Sequence, residues 1–128
     1  MPAVDHNILV VEDDPALRNA MGDLLGEEGI PATCAENGQV GLDLLRAGAR
    51  PCLVLLDLQM PFVDGLTFRR RQLEDPRIAG IPVVVMTGQP SWEEEAKRLG
   101  VSHFMRKPVA PSHVLGVVEQ YCAHMKAF

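Results

Sequence analysis

Four sets of polar residues in this chain each stand directly after a short apolar run, and their types fit one shared chemistry. Glu12 and Asp13 follow the run at 8–11, Asp57 the run at 53–56, Thr87 the run at 81–86, and Lys107 the segment 103–106. Three carboxylates held close together repel, and each tends to take up a proton. A hard divalent cation relieves that repulsion, and ligation by carboxylates, a backbone carbonyl and water suits magnesium. A carboxylate beside such an ion can attack phosphorus and form an acyl phosphate. The phosphoryl oxygens then need positive charge and donors, which an ammonium, a hydroxyl and backbone N–H groups provide. Lys107 and Thr87 are of the right type, and Gly88 leaves the approach open. Taken singly, Asp57 is equally suited to capping a turn, Lys107 to solvation and Thr87 to ending a strand. Their joint appearance after four apolar segments carries the chemical reading.

The runs read as strands. Residues 53–56 are unbroken aliphatics bounded by Pro51 and by Met60-Pro61, which suits a strand buried on both faces of a parallel sheet. Asp14-Pro15 starts a helix, with aspartate as N-cap and proline in the first turn, and Leu17, Met21, Leu24 and Leu25 recur at helical spacing before Gly29 stops it. Residues 32–35 form a weakly apolar strand. Asn37-Gly38 then opens a helix carrying Val40, Leu44 and Leu45, closed by Gly48. Asp64-Gly65 starts a third helix, whose apolar Leu66, Phe68 and Leu73 are interrupted by the polar stretch 69–72. Ser91 and Glu94 fit a capping box for a fourth helix that Gly100 stops after Leu99. Pro111 begins the last helix, with Val114, Leu115, Val117, Val118 and Tyr121 on its apolar side. Strand and helix alternate five times, which predicts a doubly wound five-stranded parallel sheet with helices on both faces and right-handed crossovers. All carboxyl ends of such a sheet lie on one side, so residues about 95 positions apart can meet there.

At 128 residues, 47% hydrophobic and 23% charged, the chain has the size and composition of one soluble globular domain, and no repeat or linker divides it. No run reaches the roughly 18 apolar residues of a membrane span, and the N-terminus lacks a basic region followed by an apolar one, so a cytoplasmic location is expected. The net charge of −5, with no basic patch beyond Arg69-Arg70-Arg71, argues against direct nucleic-acid binding. Cys34, Cys52 and Cys122 are odd in number and widely spaced, and are expected as reduced core or near-surface thiols.

The segments Ile8-Leu-Val-Val-Glu-Asp-Asp-Pro, Leu55-Leu-Asp-Leu-Gln-Met-Pro with Asp64-Gly65, Val83-Val-Val-Met-Thr-Gly and Phe104-Met-Arg-Lys-Pro resemble, in order and spacing, the receiver domain of two-component response regulators. The resemblance covers essentially the whole chain and implies one CheY-like receiver domain over residues 1–128, with a flavodoxin-like (βα)5 fold. It implies that Asp57 receives a phosphoryl group from a phosphohistidine on a sensor histidine kinase or histidine phosphotransfer protein. It further implies that Asp13, Asp57 and the Gln59 carbonyl bind magnesium, with Glu12 acting through a water. Lys107 would contact the phosphoryl group, and Thr87 would move toward it together with Phe104. That movement would remodel the face made by the fourth helix, fifth strand and fifth helix. Gln59 and Gln89 flank the path of hydrolytic water and, with Gly88, would tune the lifetime of the phosphoaspartate. The kinase would dock on the first helix beside the site, using Leu17, Arg18 and Met21 in part, and on Pro108-Val109, although apolar residues there also serve the core and Leu17 suits the core better than a contact.

Several positions depart from the commonest family pattern. Phe104 stands where many members have tyrosine, the segment from Thr87 to Phe104 is about two residues short, and Arg69 occupies a usually apolar position, so helix ends there could shift. Trp92 fits either the core or a partner contact. The short fourth helix is marginal without tertiary packing. The main reading is a phosphoacceptor signalling module that is not a metabolic enzyme, meeting a downstream output domain or target protein and able to form a homodimer. The alternatives are a degenerate receiver that only binds a partner and a magnesium phosphatase of the haloacid-dehalogenase type. The phosphatases resemble one another in carrying a second aspartate where this chain has Gln59. The last helix is expected to end near Lys126-Ala127-Phe128, where either a terminus or a linker to a further domain begins.

Overall fold

A computed structural model describes residues 5–122. Five parallel strands, β1 (Asp5–Val11), β2 (Ala32–Ala35), β3 (Pro51–Asp57), β4 (Val83–Thr87) and β5 (Phe104–Arg106), form one sheet in the order β2-β1-β3-β4-β5. They alternate with α1 (Pro15–Glu27), α2 (Gly38–Arg46), α3 (Gly65–Leu73), α4 (Glu93–Arg98) and α5 (Pro111–Tyr121). This is the doubly wound arrangement the alternation predicts, and its strand order reverses between β1 and β3.

The period of two along each strand divides the core. Leu9, Val11, Val54, Leu56, Val83 and Val85 face α2, α3 and α4 through Leu42, Leu45, Phe68 and Ala96. Ile8, Val10, Leu53, Leu55, Val84 and Met86 face α1 and α5 through Met21, Leu25, Val114 and Val117. Every residue of β3 is buried, as a central parallel strand covered on both faces requires.

Local chemistry places the helix starts. The Asp14 carboxylate accepts from the N–H groups of Ala16 and Leu17, Asn37 from Val40, and Asp64 from Thr67. Gly29, Gly48 and Gly100 take positive φ of 74°, 114° and 81° where α1, α2 and α4 stop. At the start of α3, a Cβ on Gly65 would collide with the Asp57 carbonyl oxygen and the Leu58 backbone. Glycine therefore lets α3 come close to the strand end that carries Asp57.

Two expectations are corrected. Ser91 does not cap α4: a single 3-10 turn spans Pro90–Trp92, and the cap position is Trp92, whose side chain makes no capping hydrogen bond. Pro90 fixes the first φ of that turn, and the Trp92 N–H donates to the Gln89 carbonyl at 3.1 Å, so the chain turns before Ser91 can act as a cap. The cysteines are not all reduced thiols: Cys52 and Cys122 form a disulfide, because the fold brings the start of β3 and the end of α5 to a Cα separation of 5.8 Å. Cys34 is a free, exposed thiol. On α3, the Arg69 Nε donates to the Leu99 carbonyl at 2.9 Å, and Nη1 to the Gln72 amide oxygen. The expected helix end near Lys126 lies outside the described residues.

Candidate functional site

The carboxyl edge of the sheet gathers the residues singled out by type. Glu12 follows β1 and is fully buried; Asp57 ends β3 with only 3% of its surface exposed; Thr87 ends β4, and Lys107 follows β5. Lys107 Nζ lies 2.8 Å from Glu12 Oε1 and 3.2 Å from Asp57 Oδ1, so one ammonium bridges two carboxylates across the crevice where the strand order reverses. The Lys107 N–H donates to the Thr87 carbonyl, which fixes the strand end from which the side chain reaches back. The Lys107-Pro108 peptide bond is cis.

The remaining contacts set the carboxylates. The Asp14 N–H donates to Glu12 Oε2 at 3.1 Å, and the Gln59 N–H to Asp57 Oδ1 at 3.3 Å. Arg18, on the first turn of α1, donates to the carbonyls of Glu12 and Asp13 and clamps the acidic loop. Sequence reading placed Arg18 on a docking surface and missed this role; its position six residues after Glu12, just inside a capped helix, was the available signal. Met21, also assigned in part to docking, is buried core, and Leu17 packs against the same cluster. Gln59, Gly88 and Gln89 are exposed at the rim.

The electrostatics are those of crowded carboxylates relieved by one cation. Burial, followed by the nearness and charge of Glu12, raises Asp57 from 3.8 to about 7, with Lys107 opposing the rise. Burial pulls the Lys107 ammonium down, but its contacts with Glu12 and Asp57 together outweigh it and leave the group above its ordinary value.

The donor set fits a hard divalent cation. Glu12, Asp13 and Asp57 each offer a carboxylate oxygen, and these oxygens lie within 4.8 Å of one another. Glu12 Oε1 is buried and faces the Lys107 ammonium at 2.8 Å. All the donors are oxygen, as magnesium prefers.

Thr87 and Phe104 each make contacts outside the carboxylate cluster. The Thr87 hydroxyl donates to the Gln89 carbonyl at 3.2 Å and accepts from the Gln89 N–H at 2.9 Å. Phe104 is half-buried against the α2–α4 core, with Lys97 Nζ 6.0 Å from its ring centre. Trp92 packs on that core as well.

The response regulator receiver domain family model matches residues 8–119. Sporulation initiation phosphotransferase F of Bacillus subtilis is 31% identical over 121 residues, covering 92% of this chain and 94% of that one. A response regulator receiver protein from Pseudomonas putida, solved as a crystal structure, is 30% identical with a TM-score of 0.83, covering 93% of this chain and 99% of that one. Response regulator Rre1 of Synechocystis is 30% identical, and this chain spans 53% of its length. The chain belongs to the response regulator receiver domain family. Receivers are phosphoacceptor signalling domains of two-component systems and use magnesium at an acidic cluster. Among the described residues, no helix is long and apolar enough to cross a membrane.

Proposed function

We propose that residues 1–128 act as one receiver domain that takes a phosphoryl group onto Asp57 from a phosphohistidine on a sensor kinase or histidine phosphotransfer protein, in the cytoplasm. The observation that carries this reading is the Asp57 carboxylate at the strand-order reversal, 3.2 Å from the Lys107 ammonium and within 4.8 Å of the oxygens of Glu12 and Asp13. Asp57 Oδ attacks phosphorus as the bond from phosphorus to the histidine nitrogen breaks, leaving an acyl phosphate and, because the other ring nitrogen carries a proton, a neutral imidazole. Glu12, Asp13, Asp57 and the Gln59 carbonyl would hold magnesium, which when bound would supply positive charge for phosphoryl oxygens. Lys107 exchanges its pairing with carboxylates for a pairing with the new phosphoryl group. The exposed rim residues Gln59, Gly88 and Gln89 border the water that later hydrolyses it.

The output step follows from the Thr87 contacts. If the hydroxyl turns toward phosphorylated Asp57, it leaves both of its hydrogen bonds to Gln89. The Gln89 carbonyl also accepts from the Trp92 N–H, so it anchors the 3-10 turn that leads into α4. A two-state rearrangement of this turn, with the Phe104 ring following, would carry the added charge to the face formed by α4, β5 and α5. That face would meet the output domain or target protein, or a second copy of the chain.

The test is intact-mass analysis after incubation with magnesium and acetyl phosphate, beside an Asp57→Asn variant. A gain of about 80 Da that needs magnesium, is lost in mild alkali and is absent from the variant supports the reading. A wild-type protein that binds magnesium but gains no mass refutes it and leaves a partner-binding domain.

A further inference from the structure

A second reactive pair lies at the opposite edge of the sheet. Cys52 is the second residue of β3 and Cys122 follows the last turn of α5; they are bonded to each other across 70 residues of sequence. Cys52 and Asp57 occupy opposite ends of one strand, five residues or about 17 Å apart. A cavity of about 270 Å³, whose walls include Cys52, Ile81, Pro82 and Tyr121, opens beside the pair.

We propose that Cys52–Cys122 is a reversible redox site, opened by a small or protein dithiol and closed again by exchange with a disulfide, which sets whether the carboxyl end of α5 is fastened to the sheet. Both states have a place in this fold. In the bonded state the Cα separation of 5.8 Å lies within the ordinary range for a disulfide. In the reduced state the Cys52 thiol has an acceptor ready, because its Sγ lies 3.4 Å from the Asn7 carbonyl oxygen on β1. The Cys122 thiol would remain among Val114, Val117 and Val118, where a thiol packs as a small apolar group.

The exchange balances in two steps. A thiolate of the dithiol attacks Cys52 Sγ through the cavity, forming a mixed disulfide and expelling Cys122 as a thiolate that takes a proton. The second thiol of the reagent then attacks its own sulfur in the mixed disulfide and releases Cys52 as a thiol. Two electrons and two protons pass to the protein, and the dithiol becomes a disulfide. Cys34 is no competitor for either partner. The register sets it level with Leu55 two strands away, roughly 10 Å across the sheet and as far again along it.

The consequence concerns α5. Its last turn carries Tyr121, whose hydroxyl is 2.9 Å from His103 Nδ1 just before β5, so the cross-link, Tyr121 and His103 hold one corner of the α5–β5 face. That this corner matters for output rests on the reading under Proposed function; the covalent exchange does not.

The test uses the full chain. Protein equilibrated with oxidised glutathione or with dithiothreitol is denatured, alkylated with N-ethylmaleimide and weighed. One added group, on Cys34, glutathione by exchange or N-ethylmaleimide, is expected in the first case and three N-ethylmaleimide groups in the second. Hydrogen exchange of the last turn of α5 should be at least about tenfold faster after reduction. A Cys122→Ser variant should exchange at the fast rate with or without dithiol. Labelling of Asp57 by acetyl phosphate should agree within about twofold between the two states. Three alkylated thiols after oxidised glutathione, one after prolonged dithiol treatment of the folded protein, or equal α5 exchange in both states would each overturn the proposal. Failure of Asp57 to label in either state would refute the phosphoacceptor reading alone, because the thiol count and the exchange rates are read independently of it.

Discussion

Replacing Asp57 with asparagine should make the protein more stable at alkaline pH and flatten the dependence of its stability on pH. The fold raises the Asp57 carboxyl from 3.8 to about 7. A carboxyl raised on folding keeps its proton between those values, whereas the unfolded chain has released it. The associated stability is therefore complete below about pH 4 and is lost as pH rises through 7. At about 1.36 kcal/mol per unit, the shift corresponds to about 4 kcal/mol. Solvent at the open rim screens the charge and reduces this to about 2 kcal/mol. Asparagine keeps the amide oxygen that accepts from the Gln59 N–H but has no charge to bury, so the variant should lack this loss. The assay is thermal or urea unfolding of both proteins in EDTA from pH 5 to 8. Wild type should fall relative to the variant by about 1.2 kcal/mol across that interval, the rest of the loss lying between pH 4 and 5, which is on the order of 5 °C in Tm for a domain of this size. The difference reports Asp57 together with its contacts to Glu12 and Lys107. Adding magnesium at about ten times its Kd should return about 1.4 kcal/mol to wild type at pH 8. Parallel pH profiles in EDTA would refute the claim that burial and Glu12 hold Asp57 protonated.

Two further substitutions test local backbone arguments. Gly65→Ala should cost at least about 2 kcal/mol in urea unfolding and slow phosphorylation, since the added Cβ must push α3 away from the Asp57 carbonyl and the Leu58 backbone; an unchanged midpoint and rate would show that the approach is not tight. Phe62→Gly should raise stability by about 0.5–1 kcal/mol. Phe62 is 92% exposed with φ of 66°, so removing a left-handed penalty of about 1–2 kcal/mol outweighs the extra freedom that glycine gives the unfolded chain; a clear loss of stability would mean that the ring makes contacts worth more than the strain.

What could be read from the sequence was what is determined locally or by period. Asp14, Asn37 and Asp64 could be assigned as N-caps because each bonds to backbone N–H groups two or three residues ahead. The uninterrupted run at 53–56 announced a strand buried on both faces, and parallel order then placed Glu12, Asp57, Thr87 and Lys107 on one rim. Partnerships between distant segments were hidden. Nothing in the spacing of Cys52 and Cys122 says that the foot of β3 and the end of α5 become neighbours. The Ser91–Glu94 pattern is a sound capping signal in isolation, but Pro90 one residue earlier commits the chain to a 3-10 turn first.

The fourth helix shows why such partnerships matter more here than propensity. Six residues form far too short a helix to persist alone. Glu93, Glu94 and Glu95 in its first turn and Lys97 and Arg98 in its last suit the helix dipole, yet such surface effects are each worth only about 0.3–1 kcal/mol. The stronger constraints come from neighbouring elements. Arg69 of α3 binds the Leu99 carbonyl, Arg70 pairs with Glu95, and Arg106 of β5 pairs with Glu93 at 3.1 Å. Arg69, which looked misplaced on α3 because apolar residues usually stand there, reaches across to a carbonyl that α4 leaves unpaired at its end. The helix is thus held by polar groups of two neighbouring elements, α3 and β5, with Ala96 the buried residue within it. An element fastened by a few polar contacts over a small core can change arrangement at low cost. That is the property required of a segment whose leading turn is anchored, through Gln89, to the hydroxyl of Thr87.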